Sequence, residues 1–420
     1  MFEDNYKKTQ LGYLPNNWDV VTLGDIADYI NGYAFKPEQW ETKGRPIIRI
    51  QNLTGSSDTV NYFSGDLDNR YFVTNGDLLI SWSASLDAFI WNRGEAWLNQ
   101  HIFKIDNIHQ NCDKGYLYFA LKHIIGSIRA KTRGSTMKHI TRKEFVATPV
   151  ALPPLPEQRA IAHVLSTVRQ AIDATEQVIA AAQGLKRSMM KHLFTYGPVP
   201  VDQADQVVLK ETEIGEIPTK WEVISFGEIS DFKNGINFKK SQKGDNGYLT
   251  VDVLNMYSDG IDIGMDKLYR VDIDLTESYL LKPGDILFVR SSFKREGVGW
   301  ASLFPGYKEP VTYCGFIIRA RLETNVLNSE FLTYYFRLPS VRENLISKSG
   351  KVAITNINQG NLSTVPVIVP KLSEQANIVD LLAIVENKIQ TEIQKLSAQE
   401  QLFSSLLHHL MTGNVSVPYE

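Results

Sequence analysis

The chain has 420 residues, 43% hydrophobic and 22% charged, with a net charge of −3. The length predicts two or more domains, and two cysteines, Cys112 and Cys314, exclude a disulfide framework or a cysteine-rich zinc site. No apolar run reaches the roughly 18–20 residues of a membrane span, and "MFEDNYKKTQ" lacks the apolar core of a signal peptide, so a cytoplasmic protein is expected whose polyanion-binding surfaces, if any, are local clusters of Lys and Arg.

The first stretch, "QLGYLPNNWDVVTLGDIADYINGYAF" at 10–35, returns at 213–238 as "EIGEIPTKWEVISFGEISDFKNGINF". The offset is a constant 203 through Gly12/Gly215, Pro15/Pro218, Trp18/Trp221, Gly32/Gly235 and Phe35/Phe238, and persists to Asn52/Asn255. It widens to 208 at "NGDLLIS" and "PGDILFV", and to 217 at "LPPLPEQRAI" (152–161) and "VPKLSEQANI" (369–378). A chain that repeats at half its length is built from two copies of one unit. The drift places the insertions in the middle of each copy.

Each copy opens with a mixed region. Short β-rich runs, among them "PIIRIQNL", "DLLISWS", "QHIFKI", "YLTVDVLN", "DILFVRSS" and "CGFIIRARL", are separated by Gly, Asn and Asp turns. Helical pieces follow, "GYLYFALKHIIGSIRAK" and "NSEFLTYYFRLPSVRENLIS". The pattern predicts a compact α+β domain in each half. A long helix closes each copy. Its apolar seam falls at 161, 165, 168, 172, 175, 179, 182, 189 and 193, and again at 378, 382, 385, 389, 393, 396, 403, 406 and 410. Steps of 3 and 4 are a heptad seam. Lys186 sits on the first seam and predicts looser packing there. Pro156 is expected at the first helical position and Ser373 at the N-cap.

The predicted boundaries are 1–152 and 213–367 for the domains, 153–197 and 368–413 for the helices, and 198–212 for a linker. A 38-residue helix over 156–193 extends about 57 Å, and its nearest equal-length partner is its twin. The expected fold is therefore α+β, with two pseudo-twofold-related globular domains separated by a pair of long antiparallel coiled-coil helices. Two modules related by a dyad suit duplex DNA, whose turn is about 34 Å. Unlike interiors predict two different half-sites with an unread spacer between them.

"LGYLPNNW" and "IGEIPTKW", each leading through a domain to "PPLPEQ" or "PKLSEQ" and a long helix, resemble the specificity subunit of type I restriction-modification systems over essentially the whole chain. The resemblance implies two target recognition domains, two conserved helices, binding to double-stranded DNA and to two methyltransferase subunits, and restriction subunits that join for cleavage. It implies that S-adenosylmethionine, ATP and Mg belong to those partners, with no cofactor on this chain. The residues agree: the only Pro-Pro, Pro153–Pro154, lacks the Asn or Asp of an amino-methyltransferase turn, no phosphate-binding loop with Lys-Ser/Thr occurs, and no His/Cys spacing suits zinc. A non-catalytic subunit of an adenine-specific methyltransferase and restriction complex is expected. The alternatives are an adaptor with two heads on a coiled coil, a self-contained methyltransferase or nuclease, and a subunit of a methylation-only system.

DNA contact calls for Lys, Arg, small polar side chains and amides on projecting loops. The first candidate cluster is "RAKTRGSTMKHIT", with Arg129, Lys131, Arg133, Ser135, Thr136, Lys138 and His139. Its counterpart "SKSGKVAITNIN" offers Lys348, Ser349, Lys351, Thr355 and Asn356. The loops after the shared Gly add Tyr33, Lys36, Asn237, Lys239, Lys240 and Lys243; Phe35 and Phe238 are expected to pack. "RSSFKRE" adds Arg290, Ser291, Lys294 and Arg295, and the first half adds Arg49, Gln51 and Asn52. Glu157, Gln158, Glu374 and Gln375 recur at the helix starts, where they either cap the helix or meet a methyltransferase subunit.

Overall fold

The computed structural model describes residues 5–83, 86–132, 141–258, 260–292, 295–347 and 355–419. The chain forms two compact units, residues 1–174 with 396–420 and residues 175–395. Each long helix contributes one end to each unit.

In the first unit, strands Asp28–Asn31, Ile102–Asp106, Leu78–Ser81 and Asp87–Ile90 lie in that order in an antiparallel sheet. In the second, Ser230–Asn234, Ile317–Leu322, Ile286–Val289 and Ala301–Leu303 repeat the order and the antiparallel sense. A further sheet in each unit is built around one parallel pair, Arg45–Ile48 beside Ala96–Leu98 and Tyr248–Val251 beside Val311–Tyr313. The central strands Leu78–Ser81 and Ile286–Val289 are buried at every position, as a strand covered on both faces must be. The β-rich run at 46–53 shortens, because the chain turns into the helix Ile50–Thr54, closed by Gly55 at φ 69°; a left-handed C-terminal cap favours glycine. The first helical piece is one helix, Lys114–Thr132. The second is two, Ser329–Phe336 and Pro339–Ser347, because Pro339 lacks the N–H that would continue the first.

The long helices run Leu155–Tyr196 and Leu372–Met411. In the first unit Ile161 and Leu165 cluster with Leu410, Met411, Phe403 and Leu406. In the second, Leu193 and Phe194 cluster with Ile378 and Leu382. Within each unit, then, the start of one helix lies against the end of the other, so the two run in opposite directions there. Every seam position is buried or half-buried. At Lys186 the packing is polar rather than loose: its Nζ lies 3.1 Å from Glu386 Oε1, and Glu386 Oε2 accepts from Tyr334 Oη at 2.5 Å. Both expected helix starts shift by one or two residues. The first helix opens at Leu155, putting Pro156 at the second position, and the second opens at Leu372, putting Ser373 inside the helix rather than at its cap. Among the described residues no helix is long and apolar enough to cross a membrane.

Candidate nucleic-acid interface

The repeated glycines are required where a strand leaves the sheet. Gly32 N–H donates to Ile102 O at 3.1 Å, and Gly235 N–H to Ile317 O at 3.0 Å. A Cβ at either position would lie 2.1 Å from a carbonyl oxygen, of Asn99 or of Cys314. Only glycine allows that approach.

The chain beyond each glycine carries candidate contacts. Tyr33 packs edge-on against Phe35 and Tyr71, with centroids 4.9 and 5.6 Å apart, while Lys36 stands in solvent. Asn237, Lys239 and Lys240 are exposed. The ammonium of Lys243 lies 3.8 Å from the ring centroid of Tyr269 and 3.7 Å from Asp252. Phe35 is buried and Phe238 half-buried, as expected of packing rings. Arg49 covers the Trp40 ring at 4.7 Å and donates to Asn61 Oδ1 at 3.1 Å. Asn52 is interior: its Nδ2 donates to Thr59 O and its Oδ1 accepts from Arg49 N–H, both at 3.0 Å. Gln51 reaches the same Thr59 oxygen at 3.4 Å. Asn255, the repeat partner of Asn52, closes its own turn in the same way, on Gly264 O and Asp252 N–H.

Two clusters that are distant in sequence meet in the second unit. Ser291–Ser292 pairs with Thr355–Asn356, Ser291 opposite Asn356, and Arg290 O accepts from Ile357 N–H at 3.0 Å. In the first unit Arg129 donates to Leu86 O and lies 3.7 Å from Asp87. The end of the domain helix is thus tied to the Leu78–Ile90 hairpin. Arg133, Ser135, Thr136, Lys138, His139, Lys294, Lys348, Ser349 and Lys351 lie outside the described residues, as do the side chains of Lys131, Arg295 and Thr355.

The helix starts are clamps. Gln158 Nε2 donates to Pro153 O at 2.7 Å and Asn111 O at 2.9 Å, and its Oε1 accepts from Asp113 N–H at 2.8 Å. Gln375 donates to Pro370 O and Val326 O and accepts from Asn328 N–H, each at 2.8 Å. Both are 0% exposed, so neither carboxamide is available to another subunit. Glu157 accepts from Trp18 Nε1 at 3.1 Å, and Glu374 from Trp221 Nε1 at 3.3 Å. Glu374 also accepts from Lys220 Nζ at 2.6 Å and from Lys371 N–H, the group just before the helix, at 3.3 Å. Pro154, the residue equivalent to Lys371, has no N–H to offer. Burial raises the pKa of Glu157 above the usual carboxylate value, although its bonds to Trp18 and Asn17 oppose the rise. Burial pushes Glu374 up too, but Lys220, the Lys371 N–H and Trp221 outweigh it and hold the group below. The role of Trp18 and Trp221 is not legible in the sequence, although the tryptophans recur 203 apart and the glutamates they bind recur 217 apart.

This architecture, a duplicated α+β domain clamped to a duplicated long helix, defines a two-domain protein built by internal duplication. The family model for the type I restriction modification DNA specificity domain matches residues 15–183 and 218–400, and the chain belongs to that family. It is 26% identical to the type I restriction enzyme MjaVIII specificity subunit of Methanocaldococcus jannaschii, over 99% of this chain and 97% of the relative. It is 24% identical to the EcoBI specificity subunit of Escherichia coli, over 96% and 87%. Its fold is similar to the crystal structure of a type I restriction-modification S subunit from M. genitalium, with TM-score 0.60, 15% identity and 94% and 96% of the two chains covered. Specificity subunits are non-catalytic in general. Among the described residues no group of three or more His, Cys, Asp or Glu gathers to hold a metal, and both cysteine thiols are buried.

Proposed function

We propose that this chain selects the DNA sequence for a type I restriction-modification complex. The domains at 1–152 and 213–367 each read one half of an asymmetric bipartite site, and the helices at 153–197 and 368–413 dock two methyltransferase subunits that modify adenine. Restriction subunits join for cleavage. S-adenosylmethionine, ATP and Mg serve those partners.

The observation that carries the reading is a shared frame with unlike surfaces. Both units keep one strand order, one glycine crossing and one glutamine clamp. Their projecting segments carry different side chains, such as Tyr33 against Ile236, Pro37 against Lys240, or Trp82 against Arg290. A common frame delivers two loops to equivalent grooves, and different side chains there read different bases. Phosphate contacts fall to the exposed lysines and to the basic segments around Arg129–His139 and Lys348–Asn356.

Sequencing of modified adenines in the host genome tests this directly. The expected result is one bipartite motif with a fixed spacer, lost when this chain is deleted. Unchanged methylation after deletion would defeat the reading.

A further inference from the structure

The two units can be superposed in register on their backbone hydrogen bonds rather than on their sequence. Trp82 N–H donates to His101 O at 3.1 Å, and Arg290 N–H donates to Phe316 O at 2.8 Å. Tyr33 N–H donates to Leu98 O and Ile236 N–H to Tyr313 O, at 2.8 and 3.0 Å. With Gly32 on Ile102 and Gly235 on Ile317, these bonds make three pairs equivalent: Asn31 with Asn234, Trp82 with Arg290, and His101 with Phe316. All three sit at one end of the antiparallel sheet, where the strands leave it.

In the first unit this end carries aromatic and hydrogen-bonding side chains. Trp82 Nε1 donates to Asn31 Oδ1 at 3.3 Å, its ring stacks on Phe103 at 5.6 Å, and His101 stands exposed, its ring centroid 5.1 Å from that of Trp82. His101 is at φ 72°, one of two non-glycine residues at positive φ among those described. Non-glycine residues seldom hold that conformation, histidine more readily than most, and such positions gather at functional sites. In the second unit Phe316 is 60% exposed, the Arg290 guanidinium reaches Gly315 O at 3.4 Å, and exposed Asn237 lies against Gly315. Ser291 and Asn356 follow directly on the paired ribbon.

We infer that these sheet ends are the base-contacting tips of the two domains, with His101 and Phe316 at equivalent positions in them. The inference rests on the proposed DNA-reading role. A histidine donates or accepts a hydrogen bond at a base edge, whereas a phenylalanine makes an apolar contact, for which the thymine methyl is the major-groove target. The same backbone position therefore reads one base pair in each half-site, by different chemistry.

The test selects binding sites from a randomised duplex pool, using the full chain assembled with its methyltransferase subunits. His101→Ala should relax one base pair of one half-site about 10- to 100-fold, and Phe316→Ala one base pair of the other. Tyr307→Ala, an exposed aromatic elsewhere in the second unit (44%), should select the wild-type motif. Both tip side chains are exposed, so unchanged thermal midpoints are expected. Selection of the wild-type motif by both tip variants overturns the inference while leaving the reading role intact. Failure of the wild-type complex to select any motif overturns the reading role and the inference with it.

Discussion

The two duplicated helices keep the same glutamine clamp and tryptophan–glutamate bond at their starts and differ farther along their seams. The seam position held by Phe403 in the first unit is held by Lys186 in the second, 217 residues earlier in the chain. Phe403 meets Phe119 edge-on at 6.1 Å. Lys186 meets Glu386 and, at 5.6 Å, the ring of Tyr334, which stands where Phe119 does in the other unit. Glu386 in turn replaces Arg169, which pairs along its own helix with Asp173 at 2.8 Å. One frame thus accommodates an aromatic contact in one copy and a nearly buried ion pair in the other. What repeats is the backbone-satisfying part, since an unpaired buried N–H or C=O is costly wherever it occurs. What drifts is the side-chain chemistry, which can be exchanged in concert.

The largest expected effect breaks that concert. Lys186→Met leaves the Glu386 carboxylate, 9% exposed, without its cation, and should cost about 3 kcal/mol. Adding Glu386→Leu should recover most of the loss, because an apolar pair replaces an ion pair at little cost. Urea unfolding of both variants measures this, and an unaffected single variant would show that the pair is dispensable. Next come Gln158→Leu and Gln375→Leu. Each strands one N–H and two carbonyls, for about 2 kcal/mol. The two losses should match, and a marked inequality would mean that the clamps are equivalent in geometry only.

The frame was legible in the sequence, and most side-chain roles were not. Trp18/Trp221 and the seam positions announce the duplication because packing and helical period fix residue type. The glutamates recur too, but recurrence does not name their partners, since that of Glu157 lies 139 residues away. The start of the second helix was misplaced because Ser373 is a good N-cap by type, whereas Glu374 already satisfies the Lys371 N–H. Candidate DNA contacts chosen by residue type included Asn52, whose amide closes a turn inside the fold. His101 and Phe316 escaped notice because they are unlike residues, and the offset between the copies has grown from 203 to 215 by that point. Only the backbone ladder makes them equivalent.

The smallest expected effect is the sharpest comparison, because it turns on one residue. Lys220 of the second clamp corresponds to Asn17 of the first. Glu374 has a lowered pKa, so its charged form is favoured by folding. That stability is present above the ordinary carboxylate pKa and lost as pH falls through the lower folded value. Glu157 has a raised pKa, so folding favours its protonated form, and its contribution improves as pH falls through the raised value toward the ordinary one. Glu374→Gln should therefore destabilise at pH 7, and the deficit should shrink in acid. Because the Lys220 side chain is 57% exposed, the deficit is screened to about 0.5–1 kcal/mol. Glu157→Gln should be neutral or slightly stabilising at pH 7, with any gain vanishing in acid. Asn17→Lys places an ammonium where Lys220 stands and should bring Glu157 down, giving the first clamp the acid sensitivity of the second. Unfolding midpoints at pH 7 and pH 4 for the three variants decide it. If Asn17→Lys leaves the acid dependence unchanged, the contrast lies instead in Pro154 against Lys371, where one helix start lacks the N–H that the other presents to its glutamate.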